Sequence, residues 1–297
     1  MTVTAPAPAT VEFQFFTFEV LRTRRMGHSF LRITFGGESL GEFRSGGLDQ
    51  SLSLFLPPPH RAHTQLPTTG EGTWFAAWRA MPQEERPAMR SYTVRAQRRT
   101  PAGGVEVDID FVLHGSSPAS GWAARATPGQ RITAIGPTTA KNRSVRFQPP
   151  ADSDLLVLYA DESALPAATA ILEQLPPGTQ VQAVFQVPHA EDRLPLRTAA
   201  LAEIHWLVCS DVNPARVEQA RSALRELDLP PAKAPYAWVA GEAGAVRTVR
   251  RELVRGHGID RRRVRFTGYW RLGVSEEELL AQARAGRAPS EDPDSAL

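Results

Sequence analysis

The 297-residue chain contains one cysteine, Cys209. That excludes an internal disulfide, a cysteine-ligated iron–sulfur cluster and a zinc-finger site. No apolar run is long enough to span a membrane as a helix, so no membrane partner is expected. The first ten residues are mostly Ala, Pro and Thr, without a basic start or an apolar core. No secretory signal is therefore expected, and the predicted setting is cytoplasmic and reducing. Net charge is only +2, and no helix-turn-helix pattern or internal repeat stands out, so nucleic acid is not an expected partner. No protein-bound metal is expected, and the chain is expected to act as a monomer.

The little net charge is unevenly spread. Residues 86–99 hold five arginines and no acid, and residues 241–271 hold nine arginines against three acids. The stretch after Val274 is acidic, with Glu276, Glu277, Glu278, Glu291, Asp292 and Asp294. Local basic clusters in a nearly neutral chain point to small anions such as phosphates or carboxylates.

Two patterns divide the length. Residues 1–10 read as disordered. From residue 11 to 150, short β-rich runs alternate with Gly and Pro turns: Val11–Val20, Phe30–Phe35, Leu52–Leu56, Tyr92–Ala96 and Val105–Leu113. Such runs predict a closed antiparallel barrel, with Pro57–Pro87 as a long functional or mobile excursion. After Pro149-Pro150, residues 151–273 alternate apolar strands with helical spacing, which predicts a doubly wound parallel α/β domain. The strands are expected at Leu155–Tyr159, Val181–Val187, Ile204–Cys209, Tyr236–Ala240 and Val264–Tyr269, and helices at Ala164–Leu175, Asn213–Leu227 and Ala245–His257. A capping box at Ser275 predicts a final helix, followed by an acidic tail, within 274–297.

The most informative segment is Arg90-Ser91-Tyr92-Thr93-Val94-Arg95. A strand presenting Arg, Tyr and Thr can hold a flat, doubly phosphorylated ligand. Arginine pairs with phosphate, tyrosine packs on a ring, and threonine hydrogen-bonds the ring edge. About twenty residues later, Phe111 to His114 runs into Pro118-Ala119-Ser120-Gly121-Trp122-Ala123. A turn opening a helix there aims backbone N–H groups at a pyrophosphate. Together the two segments point to a flavin site, although the turn lacks the Gly-x-Gly of a dinucleotide fingerprint.

These pieces, with Pro128-Gly129, Gly136-Pro137, Asp161-Glu162-Ser163-Ala164-Leu165-Pro166-Ala167, Trp238-Val239-Ala240-Gly241-Glu242 and Gly268-Tyr269-Trp270-Arg271, occur in an order that resembles the siderophore-interacting proteins. These are flavin-dependent ferric-siderophore reductases within the ferredoxin–NADP reductase superfamily. The resemblance spans most of residues 11–273. It implies a six-stranded FAD-binding barrel followed by an NAD(P)H-binding-like α/β domain. FAD, NADPH or NADH, and a ferric siderophore are the implied ligands.

By resemblance, Arg90 would hold the pyrophosphate, Tyr92 would pack on the flavin or ribityl chain, and Ser91 and Thr93 would lie near the ring. His114 would contact FAD, and Ala119, Ser120, Trp122 and Ala123 would form the phosphate turn. Asp161, Ser163 and Ala164 follow the first α/β strand, with acids expected to meet ribose hydroxyls or to order the helix. Gly241, Glu242 and Arg247 would face the nicotinamide nucleotide, Arg247 being either a 2′-phosphate contact or part of a solvated basic face. Arg271 would attract the anionic substrate, assisted by Lys141 and Arg143. Many family members are basic at the positions occupied here by Ser53 and Thr138, a departure that points to a less anionic siderophore or to a different reductant preference. No protein nucleophile or proton relay is expected, because the chemistry belongs to the flavin. The competing readings are a general flavin reductase, a ferredoxin-linked flavoprotein and a siderophore-binding protein without enzymatic activity.

Overall fold

The computed structural model describes residues 11–67, 74–115, 117–210, 214–274 and 278. The expected disordered start and nearly all of the expected C-terminal helix and tail lie outside these residues.

The strict alternation of Val105-Glu106-Val107-Asp108-Ile109-Asp110-Phe111 sends Val105, Val107, Ile109 and Phe111 into a core shared with Phe16, Phe18, Ile33 and Phe35. On the opposite face the acids meet arginines of the adjoining strand and of the strand beyond it. Arg32 bonds Asp110 at 2.6 Å, and Arg22 bonds Glu106 at 2.7 Å. Cross-strand ion pairs of this kind fix register. Seven strands build the sheet: β1 (Phe13–Arg25), β2 (Phe30–Gly36), β3 (Ser51–Leu56), β4 (Ala88–Thr93), β5 (Ala96–Arg99), β6 (Val105–Val112) and β7 (Arg131–Pro137). Their order is β4-β3-β7-β1-β2-β6-β5, with every pairing antiparallel.

The two edges of this sheet are halves of one bent segment. The Val94 N–H donates to the Gln50 carbonyl at 2.8 Å beside β3, and the Arg95 N–H donates to the Asp108 carbonyl at 2.9 Å on β6. The sheet thereby wraps into a barrel of six chain segments, and the strand expected at Tyr92–Ala96 is its bend. β7 was not among the expected strands. The excursion at 57–87 also departs from a plain loop, because it carries helix α1 (Trp74–Ala80). The Trp78 indole donates to the Pro87 carbonyl at 3.0 Å, and its ring packs with Phe55 and Met89 on the outside of the barrel. α2 (Pro118–Ala124) follows β6.

The second sheet has the order β10-β9-β8-β11-β12, all parallel, from β8 (Leu155–Ala160), β9 (Gln180–Val187), β10 (Leu201–Val208), β11 (Pro235–Glu242) and β12 (Val264–Trp270). β8 is buried along its whole length, as a central parallel strand requires. Leu156, Leu158 and Ala160 face α3 (Leu165–Gln174), while Leu155, Val157 and Tyr159 face α4 (Pro214–Glu226) and α5 (Ala243–Arg251). α5 continues as a π-helical turn through Gly256.

No helix covers the β9–β10 crossover. That stretch holds Pro188 and Pro195 and makes only a 3-10 turn at Ala190–Asp192. The barrel supplies the missing cover. Phe30 of β2 is fully buried in the α3-side core, and Met26, Leu48 and Val112 pack against the same core. Asp49 adds a polar joint. It accepts from the Trp238 indole at 3.0 Å and from the Arg146 and Phe147 N–H groups at 2.9 and 3.0 Å. Arg95 adds a charged one, to Glu173 at 2.6 Å.

Candidate functional site

The order of the parallel sheet reverses between β8 and β11, and the carboxyl ends of these strands flank a crevice. Ligands bind at such a switch point in open α/β sheets. A cavity of about 460 Å³ opens there, lined among others by Asp161, Arg216, Glu242, Arg247, Arg251 and Trp270.

Asp161 organises this crevice. Its Oδ1 accepts from the Ser163 N–H at 2.9 Å, the Ser163 hydroxyl at 2.5 Å and the Ala164 N–H at 3.2 Å. Its Oδ2 accepts from the Glu242 N–H at 2.7 Å and the Trp270 indole at 2.9 Å. One carboxylate thus orders the start of α3 and ties together the ends of β8, β11 and β12. Ordering the helix is one of the two roles expected for it, and these bonds perform it. Gly241 makes the joint possible. Its φ of 144° suits glycine, and a Cβ there would lie 2.6 Å from the Asp161 carboxylate.

Glu242 caps α5 with its own side chain, accepting from the Gly244 and Ala245 N–H groups at 2.5 and 2.9 Å. The helix start is therefore supplied with a negative charge from within the chain. Positive charge in the cavity comes instead from the side chains of Arg247 and Arg251, one turn on. Beneath them, Arg216 and Glu162 form a buried pair, with Arg216 Nη1 donating to Glu162 Oε1 at 3.1 Å. Burial and the neighbouring Asp161 charge push the Glu162 carboxyl up, against the pull of Arg216.

On the barrel, Arg90 and Tyr92 are half-buried on one face of β4. The Tyr92 ring lies 4.4 Å from that of Phe111. Ser91 is exposed on the opposite face, paired in register with Ser53 of β3. Thr93 is buried and interacts with the phenol of Tyr269, which reaches over from the end of β12. Burial raises the phenol's pKa, so Tyr269 stays neutral. This contact joins the strand expected to carry the flavin to the domain expected to carry the nucleotide. In the sequence, Tyr269 stands out only as part of the Gly268–Arg271 run.

The turn after β6 is built differently from expectation. The Ser120 hydroxyl accepts from the His114 N–H at 3.0 Å, and the Ser120 N–H donates to Ser117 Oγ at 3.3 Å. Ser120 is thus committed to shaping the turn. Ala119 and Ala123 face the barrel core, and Trp122 stacks on Phe35 at 6.4 Å. His114 lies at the surface, where partial burial of its ring lowers its pKa.

The three expected substrate residues are not gathered in one place by any direct contact. Arg271 is half-buried just after β12, and Lys141 is exposed after β7. Arg143 is 80% exposed and engaged outward, 3.8 Å from Glu12 and 5.2 Å from the Phe13 ring. Another arginine meets the domain junction: Arg146, whose guanidinium bonds Thr267 of β12 at 3.4 Å and bears electrostatically on Tyr269. Sequence reasoning missed Arg146 because it follows β7 in an irregular stretch, without periodicity to orient it.

The donor set fits the two implied groups in part. Arg90, Tyr92 and Thr93 offer charge, ring and hydroxyl along one strand, as FAD requires. Arg247 and Arg251 offer charge in a cavity of nucleotide size.

Comparison with known proteins agrees with both halves. The profile of the siderophore-interacting FAD-binding domain matches residues 19–141, and that of the siderophore-interacting protein matches residues 153–273. Ferric vibriobactin reductase ViuB of Vibrio cholerae is 32% identical over 87% of this chain and 90% of its own. The NADPH-dependent ferric-chelate reductase of Escherichia coli K12 is 33% identical over 87% and 94%. The crystal structure of a siderophore utilization protein from T. fusca superposes with a TM-score of 0.74 at 31% identity, covering 89% of this chain and 95% of the other. With both profiles matched in order and relatives of this identity over nearly full length, the chain belongs to the siderophore-interacting protein family, its first half being the FAD-binding domain.

Proposed function

We propose that this protein is an FAD-dependent reductase that takes electrons from NADPH and delivers them to a ferric siderophore, releasing iron as Fe(II). The observation that carries this reading is the meeting of Thr93 and Tyr269, where the FAD-binding barrel touches the domain that holds the nucleotide cavity. The names of the Vibrio and Escherichia relatives support the substrate class and the donor.

When bound, FAD would accept two electrons as hydride and pass them on singly, so one NADPH reduces two ferric ions. The rest is positioning. Arg90 holds phosphate on the barrel, and Tyr92 and Thr93 border the ring. His114 and the turn carrying Ala119, Ser120, Trp122 and Ala123 shape the other end of the FAD site. Asp161, with Ser163 and Ala164, keeps the ends of β8, β11 and β12 in register. Arg247, with Arg251, attracts the nucleotide phosphates and favours NADPH over NADH. Arg146 and Arg271 set a positive potential near Tyr269 that draws an anionic ferric complex, and Lys141 extends it.

Exposed Arg261, Arg262 and Arg265 favour a second reading, in which an acidic ferredoxin is the donor. The test is anaerobic. FAD-loaded protein is reduced with NADPH, then mixed with a ferric siderophore while flavin absorbance is followed. Reoxidation no faster than with buffer alone overturns the substrate assignment. A flavin that NADPH does not bleach but reduced ferredoxin does assigns the donor to the second reading.

A further inference from the structure

At the end of β6, where the Leu113 N–H donates to the Ser29 carbonyl at 2.7 Å, the barrel's β1–β2 turn lies against the helix-free β9–β10 crossover, outside the nucleotide cavity. Three potential metal ligands meet there. His28 comes from the turn, and His189 and Asp192 from the crossover; one ligand atom of each lies within 4.8 Å of the others. The two imidazole rings are 4.0 Å apart, inclined at 53°.

Asp192 is fully buried. Its Oδ1 accepts from the Ser29 N–H at 2.7 Å, which anchors the turn. Its Oδ2 is buried too and has no hydrogen-bond partner. A buried carboxylate oxygen left unsatisfied is costly, and a cation is its natural complement. Gly27 lets the turn come this close, since a Cβ there would lie 2.7 Å from the Glu191 carbonyl and 2.8 Å from Asp192 Oδ1.

We propose that His28, His189 and Asp192 bind one divalent first-row transition-metal ion that clasps the barrel to the α/β domain. Two imidazoles and a carboxylate suit Zn(II) or Fe(II), whereas Mg(II) and Ca(II) prefer all-oxygen sets. Metal–ligand bonds of about 2.0–2.2 Å require ligand atoms about 3–3.5 Å apart. Rotation of the exposed His28 ring closes the remaining distance. Water would complete the coordination sphere. Because the ligands come from both domains, a bound ion resists their separation. The site was not foreseen because its histidines come from opposite halves of the sequence and form no local spacing motif.

The test uses tag-free, FAD-loaded, chelator-treated full-length protein. Equilibrium dialysis with Zn(II), and anaerobically with Fe(II), is followed by metal analysis and thermal unfolding. One ion per chain and a raised midpoint are expected. His28→Ala and His189→Ala should each weaken binding at least about tenfold. Asp192→Asn, which keeps the oxygen that serves Ser29, should do the same. Loading by Fe(II) at micromolar concentration assigns the site to the iron the protein releases, and loading by Zn(II) alone assigns it to a structural ion. No binding by the wild type, or undiminished binding by the His28→Ala/His189→Ala double variant, overturns the proposal. Both histidines sit at the surface end of the contact, so that variant is expected to fold.

Discussion

The Trp270 indole donates to Asp161 Oδ2 at 2.9 Å, linking the last parallel strand to the first. Trp270→Phe keeps an aromatic ring but removes the indole N–H, and with it this bond to a charged acceptor. The expected loss is about 1–3 kcal/mol of stability, read from the urea midpoint at constant slope. Because Trp270 also lines the cavity, the KM for NADPH should rise in the same variant.

Arg247 distinguishes the nucleotides. Replacement by alanine should raise the KM for NADPH about tenfold and leave that for NADH within about twofold, if it pairs with the 2′-phosphate. Equal effects on both would place Arg247 at the shared pyrophosphate. No effect on either would return it to a solvated helix face. Steady-state ferric reduction with each donor reads all three.

Arg90 should govern flavin affinity more than turnover. Arg90→Ala is expected to weaken FAD binding about ten- to a hundredfold, measured by flavin fluorescence on titrating apoprotein. Arg90→Lys should recover part of the loss, since lysine keeps the charge but not the fork.

Acid should weaken the barrel through Glu106. Its hydrogen bond to Arg22 lowers the carboxyl from an ordinary 4.5 to about 2, with Arg98 reinforcing it. A depressed folded-state pKa contributes stability above the unfolded value and loses it as pH falls through the folded one. Glu106→Gln should therefore destabilise at pH 7, with the gap from wild type shrinking between about pH 4.5 and pH 2. Denaturant titrations across that range check it, and a constant gap would contradict the ion-pair origin.

Much of this architecture was legible because burial imposes periodicity. The alternation at Val105–Phe111 oriented β6 correctly, and the apolar run at Leu155–Tyr159 marked a strand covered on both faces. β7 was harder, since Arg131–Pro137 mixes Thr, Gly and Ala and is identified by its partners β1 and β3. At the site, residue type was readable but direction was not. Glu242 looked like a cofactor contact and caps its own helix. Arg143 looked available for substrate and pairs with Glu12. Arg146 drew no attention and lies at the junction, because its position depends on Asp49, almost a hundred residues earlier, which accepts from its N–H.

The crossover between β9 and β10 sets where this protein can be divided. Phe30 occupies the place a crossover helix would fill, so a chain cut between Pro149 and Pro150 would leave the second half with bare apolar sheet. Such a fragment should aggregate or require the barrel in trans. The profile matches divide the sequence near its middle, but these contacts predict a cooperative unit of folding that runs across that line.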